Sequence, residues 1–342
     1  MIADLFLRQM PPLLQAGIDN GQLRLYGSTI RHVANGQIAG FLQETGGLQK
    51  IAEVVGTGPA APLKLVASGI QIVQNEQIKS GIAHLQQGIE LLNHLQVAGL
   101  ALGAAGIGVS VVGFAVMSHK IDGVRDEVRA LGAKLDRLLD EFARDRSEQL
   151  DDMLEALRGL AERIDTRWQM STDKAEAGWH RDADEADTLG HFFRGRAQRL
   201  LAARPGAVEE ATPLLDATAM ASGLRVGSLA LAGETAAAIG VARDDSARLV
   251  RLTGSVGAAD LARARLAQWA PDAPVGSSAA GDALLRASTD ARATAAVLRA
   301  REAAAATRAA PLVALQAKAI HPREWLAAAR AEEQSPLLLM EA

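Results

Sequence analysis

The sequence predicts a mainly α-helical protein. It reads as an elongated helical bundle or coiled coil, with a small N-terminal β-hairpin module and a central apolar helix rich in Gly and Ala. Three observations carry this. Aromatic residues make up only 3% of the chain, while Ala, Leu and Gly abound; that composition favours helices over a sandwich or barrel. Apolar residues recur at steps of three and four over long stretches, which is the period of one helix face. A single place, Asn35-Gly36, carries a strong hairpin signal.

A chain of 342 residues has room for two or three domains, and the pattern divides it at 1–60, 63–170 and 174–342. In the first, a short helix over roughly 2–18 leads into two β-compatible runs around Asn35-Gly36, with Ile30, Ile38 and Phe41 as apolar contacts. The stretch GTGPAAP at 56–62 is a connector. In the second, Leu63, Val66, Ile70 and Val73, then Ile78, Ile82, Leu85, Ile89 and Leu92 after a change of phase, outline an amphipathic helix.

That helix runs without a breaker into VAGLALGAAGIGVSVVGFAVMS, residues 97–118, which carry no charge. At about 1.5 Å per residue a helix of this length spans about 33 Å, enough for a hydrocarbon core of about 30 Å. Its hydrophobicity is marginal: five Gly, five Ala and two Ser stand against nine Leu, Ile, Val or Phe. Gly99, Gly103, Gly106, Gly108 and Gly113, with Phe114 beside them, form a small-residue face. Such a face lets helices approach closely, in lipid or in a soluble core. A permanent span, conditional insertion from a soluble form and a buried soluble helix all remain open. Lys79 is the only Lys or Arg within about twenty residues upstream, whereas Lys120, Arg125, Arg129, Lys134 and Arg137 follow. In a spanning chain that asymmetry keeps the C-terminal side cytoplasmic.

Beyond it, Ile121, Val124, Val128, Leu131, Leu135, Leu138 and Phe142 alternate steps of three and four, a coiled-coil seam. Met153, Leu157, Leu160 and Ile164 resume the pattern eleven residues after Phe142, as a stutter would. This seam meets either its own bundle or a second chain. From about 174 the chain turns Ala/Arg-rich. Helical blocks are expected at 174–203, 208–240, 243–270, 279–309 and 311–331, broken at Pro205-Gly206, Gly240, PDAPVGSS and Pro311. Several have weak apolar faces.

Two long amphipathic helices joined by a Gly/Ala-rich apolar stretch resemble the layout of α-helical pore-forming toxins of the cytolysin A type. The resemblance covers about 63–170, is architectural, and brings no site residues. It implies a soluble bundle that exposes its apolar segment, assembles and perforates a membrane.

Catalytic signals are weak. Glu176, His180, Asp184, Asp187 and His191 share one helix face, but one helix offers too few ligands for a metal, so a solvated face is the simpler account. The two histidines beside acids also suit a pH sensor. P-loop, G-x-S-x-G and H-E-x-x-H motifs are absent. GAAGIG at 103–108 has no strand before it and fails as a dinucleotide fingerprint. Trp168, Trp179, Trp269 and Trp325 read as packing anchors, and His321 as a helix-end residue. No enzyme activity, cofactor or metal site is expected. A formal charge of −4 gives no footprint for nucleic acid. The absence of cysteine excludes disulfides and thiolate chemistry.

The expected partners are a lipid bilayer, conditionally, and a second copy or a helical partner protein. The N-terminus lacks the basic region and long apolar core of a secretory signal. That fits synthesis in the cytoplasm, then membrane association or a non-classical route of delivery. The competing function is a soluble coiled-coil scaffold.

Overall fold

The computed structural model describes residues 6–7, 11–26, 28–45, 142–170, 172–203, 207–269, 277–332 and 337–341. The apolar segment 97–118, with Gly99, Gly103, Gly106, Gly108, Gly113 and Phe114, lies outside them. So do the seam residues Ile121, Val124, Val128, Leu131, Leu135 and Leu138. The described chain is mainly helical, with one small antiparallel sheet.

The sheet contains β1 (Phe6–Leu7), β2 (Leu23–Tyr26), β3 (Thr29–His32), β4 (Ile38–Glu44) and β5 (Leu337–Glu341), in the order β1-β5-β4-β3-β2. The expected hairpin is β3–β4. Its loop closes with His32 N–H donating to Gln37 O at 2.9 Å, and Gly36 takes the left-handed φ of 70° that favours glycine. The helix expected from residue 2 begins later, as α1 (Pro12–Asp19). Pro12 suits a first helical turn, where its missing N–H costs nothing, and two prolines in the middle of a longer helix would break its hydrogen bonds.

β5 lies beyond the last helical block that the sequence predicts, 311–331. It pairs antiparallel with both β4 and β1, so the two ends of the chain share one sheet. Gly40 permits the close approach: a Cβ there would lie 3.0 Å from Leu339 Cδ1 and 3.1 Å from Met340 O. Alternation along the strands divides their side chains between two faces. Leu42 and Leu339 pack with Leu23, Ile30 and the α1 residues Leu14 and Ile18. Phe41 and Met340 join the helical core. Gln43, on the same face as Phe41, accepts from Trp325 Nε1 at 3.2 Å.

The helices are α2 (Phe142–Thr166), a 3-10 turn at Arg167–Gln169, α3 (Thr172–Ala203), α4 (Val208–Leu231), α5 (Thr235–Thr253), α6 (Ala258–Trp269), α7 (Ser278–Thr307), α8 (Ala310–Ala317) and α9 (Pro322–Ala331). Blocks 174–203 and 279–309 match α3 and α7 closely. The break expected at Gly240 falls instead at Gly233, whose φ of +87° ends α4. Gly240 lies inside α5, because a glycine with ordinary φ weakens a helix without stopping it. The block 311–331 is two helices. Ala319 at φ 52° ends the first, and His321 caps the second, its Nδ1 accepting from Arg323 N–H at 3.1 Å.

Leu157, Leu160 and Ile164 of α2 are buried in the core with Trp179, Phe193 and Leu224. This part of the heptad therefore packs within its own bundle; Phe142 opens α2. Buried alanines such as Ala197, Ala211, Ala217 and Ala221 let the helix backbones come close. Trp179 and Trp325 are fully enclosed. Trp168 meets Trp179 edge-on, with ring centres 5.8 Å apart, and Arg330 and Arg323 of α9 cover these two rings at 5.0 and 4.9 Å. These tryptophans anchor α9 to α3.

Candidate functional site

Among the described residues, a cavity of about 90 Å³ opens between α3, α4, α5 and α7. It has room for several waters, at roughly 10–15 Å³ each. Each helix contributes residues three, four and seven or eight positions apart, which a helix places on one side. From α3 come Ala186, Asp187, Gly190 and Arg194; from α4, Leu215, Thr218, Ser222 and Arg225; from α5, Asp245, Arg248, Leu249 and Leu252. Arg301, Ala304, Ala305 and, just past its end, Arg308 come from α7. Small residues at Gly190, Ala304 and Ala305 leave the space open, and arginines and aspartates decorate it.

The three aspartates of the wall are engaged. Asp187 Oδ1 accepts from Arg225 Nη1 at 2.5 Å and lies 3.6 Å from His191 Nε2. Asp216 pairs with Arg301 Nη2 at 3.1 Å. Asp245 accepts from Ser222 Oγ at 2.7 Å and from Arg248 Nη1 at 3.2 Å, with Arg194 Nη1 at 3.9 Å.

Arg308 differs. It is buried, and its Nη1 donates to Ser222 Oγ at 2.7 Å, so it reaches Asp245 only through the serine hydroxyl. Its Nε is buried without a hydrogen-bond partner, as is that of Arg301. Burial depresses the Arg308 pKa, and Asp245 opposes that effect. The Arg194 pKa is also depressed, first by burial and then by neighbouring Arg248. Both guanidiniums stay charged, since arginine does not lose its proton in proteins.

The stripe of five noted in the sequence lies along α3 and comes apart. Glu176 and Asp184 face solvent, and His180 is half-buried. Asp187 belongs to Arg225, while His191 Nδ1 contacts Arg194 Nη2 at 2.8 Å. No group of three or more metal-ligating side chains converges among the described residues.

Sequence reasoning missed Asp182, in the same charged stretch and 1% exposed. It accepts from Arg167 through Nε–Oδ2 at 2.5 Å and Nη2–Oδ1 at 3.0 Å, and from Arg163 Nε at 3.2 Å. Arg163 also pairs with Glu185, whose hydrogen bond raises the arginine pKa against the cost of burial. The available signal was phase: Ala175, Trp179, Asp182, Ala186 and Leu189 step by three and four along the buried side of α3.

No helix among the described residues is long and apolar enough to cross a membrane. Compared with family models, curated proteins and solved structures, the chain matches none.

Proposed function

We propose that this is a membrane-active protein in which a folded helical body carries the apolar segment 97–118 to a bilayer. Insertion and self-assembly would then perforate or remodel that membrane. One observation supports the reading. Residues 97–118 carry no charge over a length that can span a hydrocarbon core, and the heptad seam from Ile121 to Leu138 follows them directly. Insertion requires 97–118 to exchange protein neighbours for acyl chains. Marginal hydrophobicity and a glycine face suit such an exchange.

The competing reading is a coiled-coil scaffold that never enters lipid, and it needs free heptad faces. Leu157, Leu160 and Ile164 are already occupied inside the body, which leaves it less to offer a partner.

Dye-loaded vesicles of phosphatidylcholine and phosphatidylglycerol test the proposal. The purified full chain should float with the vesicles and release dye. Val111→Asp should abolish release, since an aspartate at the middle of a span costs about 2.5–3.5 kcal/mol, while the helical melt of the body stays in place. No lipid association across pH, or release indifferent to Val111→Asp, would overturn it.

A further inference from the structure

We propose that the cavity between α3, α4, α5 and α7 is a binding site for a small organic oxyanion, its carboxylate or phosphate head on Arg308 and its body against the lining leucines.

The argument starts from charge. Five arginines and three aspartates line the cavity, and each aspartate already has a cationic partner. The excess is positive and concentrates on Arg308, which has no carboxylate within ion-pair distance among the described residues and is bonded to a neutral hydroxyl. A guanidinium taken from water without a direct counter-charge is costly. Its Nε–H has no partner, and a guanidinium is a planar fork of donors suited to carboxylate or phosphate.

A second observation points the same way. Arg301 stands seven residues before Arg308 on one side of α7, and its Nε is likewise buried without a partner. Between them Ala304 and Ala305 have side chains too short to fill the gap. Two unsatisfied donors thus border a space bounded by small residues. The lining also includes the apolar side chains of Leu215, Leu249 and Leu252. Convergent polar groups in an otherwise apolar concavity are the usual anatomy of a small-molecule site. Inorganic phosphate offers the head alone; a short fatty acid offers head and tail.

The test uses the full chain at constant ionic strength, with sodium phosphate, sodium hexanoate or sodium chloride. It contains no lipid, so it stands or falls apart from membrane activity. Calorimetric titration should show saturable one-to-one binding of phosphate, hexanoate or both. Melting followed by circular dichroism should shift upward by about 2–4 °C at concentrations near a hundred times Kd. Chloride should do neither. Response to one probe alone supports the site and identifies its head group.

Arg308→Met removes the charge at similar volume, and Ala305→Leu fills the cavity with every charge retained; each should abolish the response. If one fails to fold, the other decides. Absence of saturable binding of both oxyanions to the wild-type chain would overturn the proposal. So would binding of undiminished affinity in whichever variants fold.

Discussion

Two buried arginine centres in this bundle are built on opposite principles. At the junction of α2 and α3, Asp182 is enclosed and held by Arg167 through two bonds and by Arg163 through a third. In the four-helix cavity, Arg308 is enclosed and held by one serine hydroxyl. The first centre matches each buried charge with a direct counter-charge in fork geometry, and it locks the 3-10 turn Arg167–Gln169 onto α3. The second leaves donors unanswered beside open space. The difference separates a clasp from a socket. A satisfied buried ion pair is damaged by loss of either partner, whereas an unsatisfied buried charge can be removed at little cost.

The largest effect should come from Asp182→Ala, which strands Arg167 without its acid. Unfolding by urea should show a loss of about 3–5 kcal/mol, the range for breaking buried pairs, toward the lower end because Arg163 reaches solvent. Stability unchanged within error would erase the distinction between the two centres. Next is Gly178→Ala. A Cβ at Gly178 would lie 2.5 Å from Arg167 Cζ and 2.8 Å from its Nε, and Asp182 pins that guanidinium so that it cannot swing aside. Overpacking of this kind costs about 1–3 kcal/mol. The double variant Gly178→Ala with Arg167→Ala sharpens the point, because the glycine change should then cost much less than on its own.

Arg308→Met should shift unfolding by less than about 1 kcal/mol, and in the stabilising direction if the desolvated charge is the dominant cost. A loss as large as that of Asp182→Ala would show that the Ser222–Asp245 relay is itself a clasp. The smallest change is Arg158→Ala. It breaks a pair with Glu155 on the outer face of α2, and exposed pairs contribute about 0.2–1 kcal/mol that salt screens further. Repeating the urea titration in 1 M salt should leave the Asp182→Ala loss largely intact and remove most of that from Arg158→Ala.

Part of the architecture was legible beforehand. The hairpin at Asn35-Gly36 was, because a glycine able to take positive φ is a local requirement of the turn. The extents of α3 and α7 were, because their flanks are rich in breakers. Leu157, Leu160 and Ile164 announced a buried face by spacing alone. Other features gave no local sign. LLLME at 337–341 is a short apolar run that suits strand or helix equally, and it became a strand by meeting the open edges of β1 and β4. Gly233 and Gly240 are seven residues apart and alike in composition, yet only the first ends a helix. The cavity was hidden most completely. The α3, α4, α5 and α7 sides that form it mix Arg, Asp, Ala and Ser, and this mixture reads as a weak or solvated face.

What the amino-acid order determined by itself was therefore whatever depends on near neighbours: the helical period, the tight turn, and the charge-free length of 97–118. What only the tertiary structure decided was which polar faces turn inward and how the two chain ends meet in one sheet. The physical reason is that a run of Arg, Asp and Ala at steps of three and four has the same pattern facing water or facing another helix. Its environment is set by distant partners such as Ser222 for Arg308 and Arg225 for Asp187. No window along the chain contains that pairing.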